Sequence, residues 1–221
     1  MTRSCLIRAA AAAALVVATS VGGATSATSA SLPSWPMGGQ NLQNTRANPA
    51  QAKVGASNAG RLATKWTYHT HGDVSATPAV VGEAVYFPDW GGYLNKVDAA
   101  TGAEIWSKKL SDYGYNSSVD LMARTSPAVV GNVIYIGDQG GGGANPQPAR
   151  VLAIHAGTGA LIWSRVINDN VFSIITQSPI VQHGVVYVGA ASAEEIAAAF
   201  IPGYVCCTFR GSFSAVDLLH P

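Results

Sequence analysis

Two adjacent cysteines, Cys206 and Cys207, are the residues whose type and spacing point most directly to chemistry. In an oxidising compartment an adjacent pair can form a disulfide, which an external thiol can reduce again. Neighbouring Cα atoms lie about 3.8 Å apart across a trans peptide bond, below the usual ~4.4–6.8 Å range for a disulfide. The alternative is two small buried apolar side chains that never pair.

Other chemical motifs are weak or absent. His69 and His71 lie two residues apart with no third ligand nearby, which favours a surface pair over a metal site. The glycines at 140–143 are not followed by a helical pattern, so we do not expect a phosphate-binding loop. The sequence contains no Cys-x-x-Cys-His, and we therefore expect no covalently attached haem.

The elements that must position reactive groups are strands, because three segments of the chain share one pattern. They begin at Pro78, Pro127 and Pro179. In each segment a valine follows two residues after the proline and a tyrosine eight residues after it, with a glycine between two short apolar runs. This pattern predicts a strand, a glycine turn and a second strand.

Two of the segments also close alike, with a Thr-Gly turn and a tryptophan five residues after the threonine. These runs are residues 97–106, ending at Trp106, and residues 154–163, ending at Trp163. They predict a third strand, a turn and a fourth strand that carries a large apolar anchor. Four short strands in ~40–50 residues is the pattern of a propeller blade, so we predict an all-β protein, a β-propeller of four-stranded blades.

About three blades can be assigned along the chain. An opening segment at 31–76 precedes repeat units at 77–110, 126–167 and 178–221. The last unit begins its closing strand at Ala215, but His220 and Pro221 stand where the Thr-Gly turn should be. Three blades cannot close a ring, and the open edges would expose unpaired backbone groups. We therefore expect an amino-terminal fragment with an incomplete ring.

The amino terminus has the pattern of a signal peptide, at 1–30. Arg3 and Arg8 precede an apolar run at 9–18, which rises only ~15 Å as a helix and is too short for ~30 Å of hydrocarbon. We expect export to the periplasm or outside the cell and no stable membrane anchor; the alternative is a retained anchor. Without these arginines 11 of 13 basic residues remain against 12 acidic ones, which argues against a nucleic-acid partner.

The closing runs resemble the tryptophan-docking motif of the pyrroloquinoline quinone (PQQ) dehydrogenases. The polyvinyl-alcohol dehydrogenase branch is the most similar. The likeness extends from about Ser34 to Asp217, and five stretches in the same order carry it: 35–41, 44–46, 72–78, 87–92 and 206–212. The resemblance implies an eight-bladed propeller with the quinone and a Ca²⁺ ion on its axis.

This family removes a hydride from an alcohol carbon onto the quinone, while calcium polarises the quinone carbonyl. The resemblance therefore implies PQQ and calcium as cofactors, an alcohol or polyvinyl alcohol as substrate, and a cytochrome c as electron acceptor. It implies no catalytic residue within this chain, because the catalytic aspartate of the family lies in later blades. We accordingly expect no turnover from the chain alone.

The resemblance also suggests individual site residues. Glu194 matches the calcium-binding glutamate of the family, with Glu195 as the second choice; the alternative is a solvated acidic pair. For Arg124, which matches an arginine that contacts the cofactor, the alternative is a salt bridge at the rim. The implied cofactor-binding residues are Cys206, Cys207, Arg124, Thr176 and Arg210.

Two features depart from the methanol-oxidising members of the family. Ser75 stands where those members carry a glutamate, and the adjacent cysteines fall in the third unit rather than before the second blade. The second functional hypothesis is a non-catalytic propeller scaffold, such as the bacterial outer-membrane assembly lipoprotein. A lipoprotein needs a cysteine at its cleavage site, and none is present where we predict cleavage, after Ala27 or Ala30. A scaffold also has no use for Cys206 and Cys207 beside Glu194. Both features favour the dehydrogenase.

Overall fold

The computed structural model describes residues 34–51, 53–114, 121–140 and 147–217. The predicted signal peptide, most of the glycine run at 140–143, and His220 and Pro221 lie outside the described residues. Residues 31–221 form one compact unit. Within the described part of the chain, no helix has the length and apolar character needed to cross a membrane.

Three antiparallel four-stranded sheets carry most of the regular structure. The first contains, in spatial order, β1 (Ala79–Val81), β2 (Ala84–Pro88), β3 (Tyr93–Asp98) and β4 (Glu104–Lys109). The second contains β5 (Ala128–Val130), β6 (Val133–Gly137), β7 (Arg150–His155) and β8 (Leu161–Val166). The third contains β9 (Ser173–Ile174), β10 (Ile180–Gln182), β11 (Val185–Ser192) and β12 (Ser212–Asp217). The predicted all-β architecture of four-stranded sheets is confirmed.

The third sheet differs from the other two in its strand order and in its connections. Its path is β10-β11-β12, and β9 pairs with the far end of β11 through Ala191 and Ser192. An α-helix, α1 (Glu194–Phe200), lies between β11 and β12. In the described residues the other helices are short 3-10 turns, Ala59–Arg61 and Leu110–Asp112.

The core lies in layers between the sheets because alternate residues of a strand face opposite sides. In β6, Ile134 and Ile136 are fully buried against residues of the first sheet. Tyr135, between them, is buried with Val186 and Val188 of the third sheet. The repeated apolar positions of the second unit therefore hold it to both the first and the third.

A tryptophan from one segment docks onto the Thr-Gly turn of the next unit. The indole Nε1 of Trp106 donates to the carbonyl oxygen of Ala156 at 3.3 Å, and that of Trp66 donates to Ala99 at 3.2 Å. A buried indole needs such an acceptor for its N–H group. Trp66, in the opening segment, thus docks onto the first unit in the way that Trp106 docks onto the second.

Replacing Gly102 of the first Thr-Gly turn with alanine is expected to destabilise the chain by about 1–3 kcal/mol more than Gly82→Ala. Both glycines have positive φ, +74° and +60°, so both substitutions carry the left-handed backbone cost. Only at Gly102 would the new Cβ meet a ring, 2.6 Å from Cδ2 of Trp66; nothing lies within 4 Å at Gly82. Proteolytic susceptibility measured across a urea series would compare the two variants. Equal losses of stability would contradict this packing of Trp66.

Candidate functional site at the strand connections

β5, the strand that opens the second repeat unit, contacts β1 and β10, which open the first and the third. Hydrogen bonds from backbone N–H groups to serine hydroxyls link the residues that precede these three strands. The Oγ of Ser126 accepts a hydrogen bond from the Thr77 N–H at 3.0 Å. The Oγ of Ser178 accepts one from the Ser126 N–H at 2.9 Å. Each of these residues directly precedes a repeated proline. We did not predict these hydrogen bonds from the sequence. The pattern that could have indicated them is the serine or threonine that precedes each repeated proline.

The predicted site residues collect at this same end of the sheets. Neighbouring strands are antiparallel, so the connection from the second to the third strand of a unit returns to the end where its first strand begins. Arg124 and Thr176 precede β5 and β10. Glu194, the two cysteines and Arg210 lie in the connection from β11 to β12.

A buried aspartate closes this connection in each of the first two units. Asp89 and Asp138 both follow the repeated tyrosine by three residues, and both are fully buried. Asp89 Oδ1 accepts the backbone N–H of Tyr93, the first residue of β3, at 3.1 Å. Asp138 Oδ1 accepts the backbone N–H of Arg150, the first residue of β7, at 2.7 Å. In both units, a carboxylate directly after the second strand thus accepts the backbone N–H group that begins the third strand.

The third unit has Ala190 in place of this aspartate, and a different carboxylate holds its longer connection. Glu194 is 1% exposed. Its Oε1 accepts hydrogen bonds from the Tyr204 hydroxyl at 2.7 Å, the Thr208 N–H at 2.6 Å and the Thr208 hydroxyl at 2.9 Å. Its Oε2 accepts the Phe209 N–H at 2.8 Å. We call residues 204–209 the disulfide loop.

These hydrogen bonds lower the pKa of Glu194 to about 2. The largest contribution comes from the Thr208 N–H; the Tyr204 hydroxyl, the Phe209 N–H and the Thr208 hydroxyl act in the same direction. Burial acts the opposite way and is outweighed. The hydrogen bond that Tyr204 donates to Glu194 raises the pKa of the Tyr204 hydroxyl. Glu194 is therefore a carboxylate anion at neutral pH.

Cys206 and Cys207 are joined by a disulfide bond at the exposed tip of this loop, and the peptide bond between them is cis. The guanidinium group of Arg210 donates to the carbonyl oxygens of Cys207 at 3.3 Å and Phe209 at 2.9 Å. The structure therefore brings Glu194, the disulfide and Arg210 into one cluster.

The remaining predicted residues have different surroundings. The guanidinium carbon of Arg124 lies 5.3 Å from the ring centroid of Trp90, whose Nε1 donates to Ser75 Oγ at 2.8 Å. Arg124 thus has an aromatic partner in the first unit, where the alternative interpretation expected a salt bridge. Thr176 is exposed before β10, and Glu195 is exposed on α1.

The sequence predicts calcium binding at Glu194, with Glu195 as the second choice. Ca²⁺ takes six to eight oxygen ligands at ~2.3–2.6 Å. Among the described residues, no group of three or more His, Cys, Asp or Glu side chains is placed to hold a metal. Both oxygens of Glu194 already accept protein hydrogen bonds. Calcium binding by Glu194 or Glu195 stays a prediction.

Sheets of four antiparallel strands, stacked with their first strands adjacent and tied by docked tryptophans, define this molecule as a repeat β-propeller protein. A family model named PQQ_2, described as outer membrane protein assembly factor BamB, matches residues 26–202. The chain belongs to this family. This match, together with the relatives and the solved structure described next, confirms the predicted propeller fold and the predicted similarity to the PQQ dehydrogenases.

The chain is similar to two alcohol-oxidising enzymes. It is 26% identical over 185 residues to a polyvinylalcohol dehydrogenase of a Pseudomonas species. The aligned region covers 84% of the chain and 27% of that relative. It is 29% identical over 186 residues to a quinohemoprotein alcohol dehydrogenase of Comamonas testosteroni, which covers 80% of the chain and 25% of the relative. The chain thus spans about a quarter of the length of these relatives.

A solved structure shows the same fold. The quinohemoprotein alcohol dehydrogenase of Pseudomonas putida superposes with a TM-score of 0.62 at 24% identity. The superposition covers 84% of this chain and 25% of that protein.

Proposed function

We propose that this chain supplies blades to a PQQ-dependent alcohol dehydrogenase and that the quinone binds at the end of the sheets that carries the disulfide loop. The observation that carries the proposal is the exposed Cys206–Cys207 disulfide, held by a buried carboxylate in the third unit. The names of the two alcohol-oxidising relatives support the reaction class. An alcohol, with polyvinyl alcohol as one candidate, is the proposed substrate, and a cytochrome c is the proposed electron acceptor.

The exposed side chains at this end suit a planar quinone that carries carboxylates. When bound, PQQ would accept a hydride, which is a proton with two electrons, from an alcohol carbon. The guanidinium groups of Arg124 and Arg210 can form charge-assisted hydrogen bonds with its carboxylates. The hydroxyl of Thr176 can donate a further hydrogen bond, and the disulfide offers a polarisable surface for the ring. These residues bind and orient; none of them is proposed to take the proton of the alcohol.

A scaffold role is the second candidate, and the description of the matching family model gives it weak support. A propeller that only organises other proteins needs no quinone. Quinone binding therefore separates the two proposals.

Titrating the purified, oxidised chain with PQQ is expected to quench its tryptophan fluorescence with a saturable curve. Arg124→Ala is expected to raise the dissociation constant about tenfold or more, because a charge-assisted hydrogen bond contributes ~1.5–3 kcal/mol. Arg165→Ala, an exposed arginine on the outer strand β8, is the matched control and should bind as the unaltered chain does. A chain that shows no saturable quenching at all would favour the scaffold.

We further propose that the signal peptide, predicted at residues 1–30, directs export and is cleaved off after Ala27 or Ala30. This proposal rests on the sequence pattern alone, since these residues lie outside the described part. The mature protein is expected to begin at Thr28 or Ser31, after a small-residue cleavage site. Amino-terminal sequencing of protein recovered from the periplasm or medium tests this, and an intact Met1 would contradict it.

A further inference from the structure

We infer that Glu194 is a positioning residue for the Cys206–Cys207 disulfide: its carboxylate holds the disulfide loop on both sides of the bond and restrains thiol–disulfide exchange there. The inference does not depend on quinone binding, so it can fail or succeed separately from the proposed function. It assigns to Glu194 a role that needs no metal.

The contacts of Glu194 bracket the disulfide. Tyr204, two residues before Cys206, donates its hydroxyl, and Thr208, directly after Cys207, donates both its N–H and its hydroxyl. The Phe209 N–H binds the other carboxylate oxygen. Two of the four donors are backbone amides, so the carboxylate restrains the main chain of the loop as well as its side chains.

The repeat itself supports this role. In the first two units a buried aspartate at the end of the second strand accepts the amide that begins the third strand. The third unit has Ala190 at that position, and its connection is longer, at residues 193–211. Glu194 stands at the start of the longer connection and accepts amides close to its end. All three units therefore have a buried carboxylate that closes this connection, and in the third unit it lies at a different position.

Little apolar burial holds the loop in place. Val205 is 82% exposed, and both cysteines and Thr208 are exposed as well. Segments with few buried contacts open locally at low free energy, and their stability then depends on their hydrogen bonds. Loss of the carboxylate is therefore expected to free the loop while the sheets stay folded.

The test is the rate at which dithiothreitol reduces the disulfide in the whole chain. In this reaction dithiothreitol becomes a cyclic disulfide, and its two electrons and two protons convert Cys206 and Cys207 into thiols. Labelling with a thiol reagent, read out by mass spectrometry, detects these thiols. Glu194→Ala is expected to raise the rate about tenfold or more, since one carboxylate makes several charge-assisted bonds. Glu195→Ala removes a neighbouring, exposed carboxylate on the same helix and should leave the rate unchanged.

Tyr204→Phe tests the inference with a milder change, because it removes one donor and keeps the ring. It should raise the reduction rate less than Glu194→Ala does. When Tyr204→Phe is combined with Glu194→Ala, it should raise the reduction rate almost no further. The effects of two substitutions in one hydrogen-bonded network are not additive. Additive effects of the two substitutions would overturn the inference.

Amide hydrogen exchange separates a released loop from a misfolded unit. The amides of Thr208 and Phe209 should exchange faster in Glu194→Ala, while those of β11 keep their protection. Wild-type exchange at Thr208, or a wild-type reduction rate, would overturn the inference. It would also be overturned if Ca²⁺ slowed reduction in the unaltered chain but not in Glu194→Gln, because the carboxylate would then act as a metal ligand.

Discussion

Replacing Trp106 with alanine is expected to lower the free energy of unfolding by about 3–5 kcal/mol, the usual cost of removing a large buried aromatic side chain. Trp106 is 8% exposed in the core between the first two sheets, with its ring centroid 6.3 Å from that of Tyr86. The substitution also leaves Ala156 without the indole donor, although Lys96 Nζ still donates to that carbonyl at 3.0 Å. Proteolysis after brief exposure to a urea series measures the loss.

Ile105→Ala is the matched control for this experiment. Ile105 is the preceding residue of β4 and is 48% exposed, so its truncation should cost well under half as much. Trp106→Phe should fall between the two, because it keeps most of the apolar surface and removes the indole N–H. If Trp106→Ala were no worse than Ile105→Ala, the docked tryptophan could not be what ties the first two sheets together.

Asp138→Ala is expected to destabilise the chain by about 3–5 kcal/mol, because it removes the carboxylate from a largely buried ion pair. Asp138 Oδ2 lies 3.4 Å from Nε of Arg150, whose side chain is 9% exposed, and Oδ1 accepts the Arg150 N–H. The guanidinium group also donates to the carbonyl oxygen of Tyr113 at 2.9 Å. The same urea-series proteolysis measures the change. Asp169→Ala, at an exposed position, should stay within about 0.5 kcal/mol of the unaltered chain.

A double substitution shows whether the buried charge causes that loss. Asp138→Val combined with Arg150→Met removes both charges and puts apolar side chains in their place. It should recover much of the stability that Asp138→Ala loses, because an apolar pair avoids the cost of burying ions. A double variant as unstable as Asp138→Ala would instead assign the loss to the closing hydrogen bond to the Arg150 N–H.

The proposed dehydrogenase and the inferred role of Glu194 meet at the disulfide loop. If the quinone binds against Cys206 and Cys207, a restrained loop presents a constant surface to it, and binding costs less conformational entropy. Reduction kinetics and quinone titration measure these two properties separately. A loop that Glu194 restrains but that binds no quinone would support the inference and leave the scaffold as the functional proposal.

The repeats could be predicted from sequence because their causes are local. A strand, a glycine turn and a second strand need only alternating apolar residues and a glycine within about ten positions. The anchors Trp106 and Trp163 follow their Thr-Gly turns at a constant spacing. The adjacent cysteines were also visible, since their proximity is covalent. The all-β class and the four-stranded sheets followed from these short-range patterns.

The partners of each buried polar group were decided by the tertiary structure. Glu194 is a plausible metal ligand or a solvated acid by sequence, and only the return of the chain ten to fifteen residues later places four donors around it. Asp138 likewise meets Arg150 across a connection whose length no repeat pattern sets. A short-range pattern specifies which face of a strand is apolar. Which donor satisfies a buried carboxylate depends on where distant segments pack, so the chemistry of this site emerged only when the strands had been assembled.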